Sequence, residues 1–538
     1  MSARRVPLLI FAVCGGLTVL ALLLRVPSVV QPLGIDQGLW ASAALAIDQG
    51  FVLYRDVWDH KPPAIFLTYL AAGRVFGWTP AAIGWLDLAA VLATTACLFG
   101  IARRLAGRGT AVVACALFTG LTMPAAIYGY GGILERSMSE TFMALLVAAG
   151  TWTALVAWSR SSVAGAGALG LAVGAAALFK PTAAIYLPAI GAWLWWRAGH
   201  NGHSRTWTQP VSACLAAGVA PALVLGWLAA QGAVGEARAA VVDFNRFYVQ
   251  DGGSLGTLIL GFSKAVWWRQ KTDALWCAGS IAAIAALWDL VRRRTVAPLP
   301  ALAVAWGAAA GIAIFANGAR LFTTYFIQAL PPLALLAAWW LTDGSRRSPL
   351  RRAAVAATLA LMALLWIVRG DPGRVLTFAA RDWAHWRGET SRATYLEPFG
   401  GYNNGRGYSA RANAELATYI AAHSEPGERM FLFGMNGVDV YLASGRLPAH
   451  RFLRVNFFVP INYPDPAFQI GPVTRELTVD PPRYLVFERL HITTRLGVEV
   501  DHLESDPAVQ ALLRGYTRET RIEDFVLYRR LDPEGDGL

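Results

Sequence analysis

Eleven long apolar runs recur along the chain, at roughly 7–28, 83–101, 109–128, 139–158, 163–179, 182–197, 209–231, 272–291, 299–316, 322–341 and 351–368. A bilayer core of about 30 Å demands helices of about 20 apolar residues, and repeated runs of that size leave few other folds open. With 55% hydrophobic and only 15% charged residues in 538, the chain carries more apolar surface than an ordinary soluble domain needs. We expect a polytopic α-helical membrane protein with about eleven spans. The run 64–78, AIFLTYLAAGRVFGW, is short for a span and carries Arg74, which suits a helix lying at the interface.

Charge between the runs tests this count. The net charge of +12 would suit a nucleic-acid partner if it formed a patch, but the arginines fall in short clusters between apolar runs, the footprint of topology. With Arg4 and Arg5 inside, eleven spans put Arg103, Arg104 and Arg108, Arg160, Arg197 and Arg205, Arg292 to Arg294, and the 346–352 cluster all on the cytoplasmic side. If 64–78 crossed as well, every later cluster would switch sides. The same arrangement sends the 35–63 loop, Glu135, Glu140, Lys180, the 232–271 loop, Arg320 and the C-terminal residues to the outer face. The N-terminal run continues through Leu24 without a convincing small-residue cleavage site, so we read an uncleaved first helix. All five cysteines lie in apolar runs, which argues against a structural disulfide or a cysteine metal site.

The outer-face segments hold the unusual residues. Ile35 to Pro63 packs Asp36, Asp48, Arg55, Asp56, Asp59, His60 and Lys61 into one interval, and such charge beside a membrane needs water or a polar substrate. The chain has only four lysines, Lys61, Lys180, Lys264 and Lys271, and all four fall on the expected outer side; a compact ammonium suits a phosphate where an arginine fork does not fit. Lys180 precedes Pro181 between two short spans, either lining a cavity at a helix break or snorkelling from a tight turn. Each acidic residue has a plainer reading as well: Asp36 as a helix cap, Glu140 as a complement to a helix dipole, Asp56 and Asp59 as partners of Arg55 or Lys61. After Arg369 the composition changes: ANAELATYIAAH and DPAVQALLRGY read as helices, ERMFLFG, DPPRYLVFER and RIEDFVLYRR as strands. We expect a small α/β domain over 369–538 on the outer face. It has no GxGxxG or GxxxxGK sequence to support nucleotide binding.

These pieces together resemble the GT-C membrane glycosyltransferases, in particular the protein-O-mannosyltransferase and aminoarabinose-transferase-like family. The matching residues are Asp36 in IDQG, YRDVWDHKPP at 54–63, FGW at 76–78, ERSMSETF at 135–142, FKP at 179–181, RLFTTYFIQALPPLALLAA at 320–338 and GERMFLFGMNGVDVYLASGRLPAHRF near the C-terminus. The resemblance implies a catalytic membrane domain over 1–368 with an outer loop at 30–82, and transfer of a sugar from a polyprenyl-phosphate donor with inversion. It further implies Asp36 as the base that takes the acceptor proton, and Lys61 at the donor phosphate with Lys180 and Arg320 as helpers. Glu140, with Glu135 competing, falls on a second acidic position; Asp59, His60 and Tyr325 would support. The family often has His before the late-motif tyrosine, where this chain has Thr324, and His60 falls on a position acidic in some relatives. A divalent metal ion is the one cofactor this pattern leaves open, with no ligand set assigned.

Inverting transfer needs a base on the acceptor side and cations to absorb charge on the leaving phosphate. The expected partners are the polyprenyl-linked donor, membrane lipids and a protein, glycan or lipid acceptor, without nucleic acid. Two other classes compete: a polyprenyl-linked lipid flippase or transporter, suited by the break at Lys180-Pro181 but not by polar residues gathered at one face, and a non-catalytic cell-envelope assembly protein. Arg- and Ala-rich usage points to a GC-rich bacterium and thus to its cytoplasmic membrane.

Overall fold

The structure, a computed structural model, describes residues 5–125, 132–158, 161–200, 206–250, 254–293, 297–318, 320–343, 348–401, 407–458, 463–488 and 500–531. Arg160, Arg205, Arg294, Arg346, Arg347 and the 532–538 segment lie outside the described residues.

Among the described residues, eight helical stretches are long and apolar enough to cross a membrane: 11–30, 80–106, 139–158, 208–230, 274–292, 298–315, 323–343 and 349–368. The other three expected spans are also helices, though less clear-cut by length and composition: Arg108–Ala125, Ser162–Ala177 and Tyr186–His200. We label Arg5–Arg25 α1, Ile35–Asp48 α2, Ala64–Phe76 α3, Pro80–Ala106 α4, Arg108–Ala125 α5, Ser139–Trp158 α6, Ser162–Ala177 α7, Tyr186–His200 α8 and Thr208–Ala230 α9. The segment expected at the interface, α3, has 13 residues, too few to span. Helices α7 and α9 meet through small residues four apart: a side chain at Gly170 or Gly174 would strike the backbone carbonyl of Ala213 or Ala217. With no hydrophobic force between helices in lipid, such close backbone approach is what joins them. Many large apolar side chains of this bundle face outward, among them Leu17, Leu223, Ile284 and Leu364, as a lipid-facing surface requires.

The C-terminal residues form a five-stranded sheet: β1 Arg429–Phe433, β2 Leu447–Pro448, β3 Tyr484–Glu488, β4 Tyr516–Ile522 and β5 Phe525–Arg530, in the order β2-β1-β3-β5-β4. The first three are parallel, and β5 pairs antiparallel with β3 and β4. The expected helices appear at Ala410–Ala422 and Pro507–Leu513. Two strands escaped the sequence reading. In β4, TRETRI is a largely polar edge with few buried positions, so no apolar alternation marks it; β2 is two residues long. Part of RIEDFVLYRR, read as one strand, is instead the hairpin turn at Glu523 (φ 46°).

The sheet domain is built onto the loop after α1. Ser42 donates to the carbonyl of Val438 at 2.9 Å and Tyr408 to that of Leu33 at 2.7 Å. Gly38 lies so close that a Cβ there would sit 2.8 Å from Asp439 Cβ. The Trp58 amide donates to the Arg451 carbonyl at 2.8 Å, and its indole is ringed by Phe244, Phe452, Phe457 and Phe468 at 4.8 to 5.4 Å.

Candidate functional site

The site is framed by the end of α1, the loop before α6 and the start of α4. Arg25 Nη2 donates to Asp87 at 2.6 Å, both side chains buried. The other carboxylate oxygen of Asp87 accepts the Ser137 amide at 3.0 Å, and Tyr69 of α3 donates to the Ser137 carbonyl at 3.0 Å. Buried Arg136 donates to the carbonyls of Ser28 and Gln31. These bonds hold the 132–138 loop against the 26–34 segment and so fix where Glu135 and Glu140 stand.

Asp36 stands in the first turn of α2 but does not cap it. The N-cap is Gly34, whose amide is taken by Gln37 Oε1 at 2.6 Å. The Asp36 carboxylate, 42% exposed, instead accepts from Arg454 Nη1 at 3.2 Å, across 418 residues of sequence. The 53–61 turn holds the next group. Tyr54 is fully buried at φ 72°, a conformation that costs about 1 kcal/mol or more for a non-glycine residue. Its hydroxyl donates to the Lys61 carbonyl at 2.9 Å. Asp59 accepts the Lys61 amide at 2.9 Å, so it organises the turn through the backbone, while Asp56 pairs with Arg55 at 2.9 Å.

The Lys61 side chain is half-buried. Burial alone would lower its pKa, but the oxygens of Tyr325, Asp36, Tyr248 and Glu140 outweigh that and raise it above the usual lysine value. Lys180, in the break between α7 and the turn that begins at Pro181, forms an ion pair with Glu140 and lies 3.5 Å from the centre of the Tyr325 ring. Burial lowers its pKa to about 8 although Glu140 opposes the shift. Arg320 rests on the Tyr248 ring at 3.4 Å. His60 stacks beside Tyr248 and Phe244, at 4.9 and 5.5 Å. Burial first, then Lys61, Arg454, Arg320 and Lys180, push its pKa well below the ordinary value, which leaves a neutral ring amid four cations. Burial likewise raises the Asp59 carboxyl against the pull of Arg454 and Lys61.

Asp36, Lys61, Lys180, Glu140, Arg320, His60, Asp59 and Tyr325 thus gather in one neighbourhood, although they come from positions 36 to 325 of the chain. Glu135 stands to one side, lining a cleft of about 50 Å³ with Thr141, Arg269, Thr323, Phe326 and Pro331. Burial raises its pKa to about 8 against the nearby Arg269, whose guanidinium lies 4.0 Å from the Phe326 ring centre. Glu140, not Glu135, is the carboxylate that meets a lysine. Among the described residues no group of three or more His, Cys, Asp or Glu side chains stands close enough to hold a metal ion. His60 lies among rings, with Asp59 3.7 Å from its Nδ1, so the described residues do not fit a metal ion here. Sequence reading missed Arg454 and Tyr248. Arg454 is one arginine among many in the C-terminal sheet domain, and nothing in its neighbours distinguishes it.

Known proteins resemble this chain in part of its sequence and in its fold. Residues 60–227 match the family model described as dolichyl-phosphate-mannose-protein mannosyltransferase. No curated protein matches in sequence. Among solved structures, ArnT from Cupriavidus metallidurans bound to undecaprenyl phosphate is 15% identical, covers 99% of each chain and superposes with a TM-score of 0.55. Its apo state gives 15% identity, 98% coverage of each chain and 0.54. The Archaeoglobus fulgidus oligosaccharyltransferase tethered to an acceptor peptide gives 14% identity, 96% of this chain, 74% of its own and 0.49. At such identity the likeness speaks for the fold alone, and that rests on the two ArnT structures. The chain is a multi-pass helical membrane protein that shares its fold with the two ArnT structures, and its residues 60–227 match the family model described as dolichyl-phosphate-mannose-protein mannosyltransferase.

Proposed function

We propose that this protein is an inverting glycosyltransferase that moves a sugar from a polyprenyl-phosphate donor to an acceptor at the outer face of a bacterial cytoplasmic membrane. In this reading the N-terminus is cytoplasmic, catalysis belongs to residues 1–368 with the 30–82 loop, and the 369–538 domain is extracytoplasmic. The observation that carries it is the meeting of one accessible carboxylate, Asp36, with the half-buried Lys61, the buried Lys180 and Arg320. A leaving phosphate needs no proton if cations take up its growing charge, and in a desolvated pocket they do so strongly. Lys61 holds its proton throughout the neutral range, and Lys180, titrating near 8, is still mostly ammonium at pH 7. Asp36 removes the acceptor proton as the acceptor attacks the anomeric carbon from the face opposite the phosphate. Glu140 keeps Lys180 charged and in place. Undecaprenyl phosphate bound to ArnT, whose fold is similar, supports a polyprenyl-phosphate donor here.

The test is transfer from labelled polyprenyl-phosphate sugars by purified protein in lipid, with wild type beside Asp36→Asn and Lys61→Ala. We expect wild-type transfer, loss of turnover with donor still bound in Asp36→Asn, and weakened donor binding in Lys61→Ala. Turnover untouched by Asp36→Asn, or no turnover with any donor, would refute the proposal. Donor movement across the bilayer without transfer would identify a flippase instead.

A further inference from the structure

Arg454 belongs to the outer sheet domain yet touches the carboxylate proposed as the base. It follows a segment fastened on two sides. The Val455 amide donates to the carbonyl of Gly434, just past β1, at 3.1 Å, and the Arg451 carbonyl accepts the Trp58 amide. Phe457, one of the rings around Trp58, lies 5.3 Å from the Arg454 guanidinium. The Arg454 side chain is 9% exposed, its Nη1 is on Asp36, and its Nε is buried without a hydrogen-bond partner among the described residues. The packing around Trp58 therefore delivers a rigidly held guanidinium to Asp36.

An aspartate at 42% exposure on the first turn of a helix has rotamers to choose from. A base that must meet an acceptor hydroxyl has to hold one of them, and small misplacements of a reacting group are expensive in rate. A planar, always charged fork fixed by its own packing supplies that restraint. We propose that Arg454 is a positioning residue that aims the Asp36 carboxylate, so that the outer domain completes the catalytic site of the membrane domain. This rests on the reading of Asp36 as the base.

The experiment compares wild type, Arg454→Lys and Arg454→Met, full length in nanodiscs, for kcat, KM for the donor, and thermal midpoint. The donor is whichever polyprenyl-phosphate sugar the wild type turns over. Arg454→Met should lower kcat about 10- to 100-fold with donor KM within about twofold, because Lys61, Lys180 and Arg320 still hold the phosphate. Arg454→Lys should regain much of kcat at an unchanged midpoint, which keeps the test valid if the methionine variant folds poorly. Unchanged kcat in both variants would overturn the inference while leaving the glycosyltransferase reading standing. A raised donor KM at constant kcat would do the same by making Arg454 a phosphate ligand, as would a joint fall of kcat and midpoint in the lysine variant by making it a packing residue. Absence of transfer by wild type would overturn the parent reading and this inference with it.

Discussion

Replacing Glu140 by Gln removes the counter-charge of a lysine that has no access to water. The two side chains are 3% and 7% exposed, and breaking a buried pair by removing one partner typically costs about 3–5 kcal/mol. Two features of the site place the expected loss near the low end, about 3 kcal/mol. The Tyr325 ring still faces the ammonium from 3.5 Å, an attraction worth up to about 2 kcal/mol when desolvated, and the amine can shed its proton instead of remaining charged. That escape gives the loss a pH signature. The native pKa of Lys180 lies near 8, below its ordinary 10.5, so the unfolded chain binds more protons between these values and the native state gains stability as pH rises through them. In Glu140→Gln the strongest influence raising that pKa is gone, and the lysine becomes neutral at still lower pH. The deficit relative to wild type should therefore be largest below the variant's lowered pKa, narrow as pH rises from there to about 8, and stay at its smallest above that, where the wild-type amine has also lost its proton and its pair with Glu140. Equilibrium unfolding by denaturing detergent, in mixed micelles at several pH values, measures this. A deficit under about 1 kcal/mol at pH 7, or one that is flat from pH 7 to 9.5, would refute the picture of a desolvated pair.

Other substitutions probe neighbouring parts. Burial holds Glu135 protonated up to about pH 8, so the native state binds the extra proton and the contribution of Glu135 to stability should fall as pH rises from about 4.5 to 8; Glu135→Gln should make the pH profile less steep in the same titration, leaving the parallel contributions of Asp439 and Glu488. Asp87→Asn leaves the buried Arg25 guanidinium without its counter-ion and should destabilise by about 3 kcal/mol or more, read as a lowered unfolding midpoint; an effect within experimental error would show that the pair is hydrated. Gly38→Ala puts a methyl 2.8 Å from Asp439 Cβ. It should cost about 1–3 kcal/mol and speed protease cleavage between the helical bundle and the sheet domain, whereas Gly226→Ala, with open space around the added methyl, should leave that cleavage rate nearly unchanged.

Membrane class was legible because a bilayer imposes its thickness on any chain that crosses it. Runs of apolar residues and interrupting arginines are local signals, and among the described residues helices lie at all eleven runs, eight of them long and apolar enough to span. The shortness of α3 was equally local: it has 13 residues, and its Arg74 pairs with Asp48 at 2.7 Å. Most of the sheet could be read from buried apolar strands, but the polar edge β4 could not, because its place is set by pairing with β5 and not by burial.

The site divides in the same way. Asp36, Lys61 and Lys180 announced themselves as charges where a membrane chain avoids charge. Their partners did not, since a partner is a matter of three-dimensional neighbourhood. Whether Glu135 or Glu140 meets Lys180 turns on the 132–138 loop, pinned by Asp87 and Arg136. That Arg454 reaches Asp36 turns on a sheet domain seated against Trp58 and Gly38. The sequence by itself determined which elements form and which residues are too costly to be idle, because those depend on solvation and local geometry. Only the tertiary structure decided which charges share one desolvated space, because that depends on the docking of helices and sheet from opposite ends of the chain.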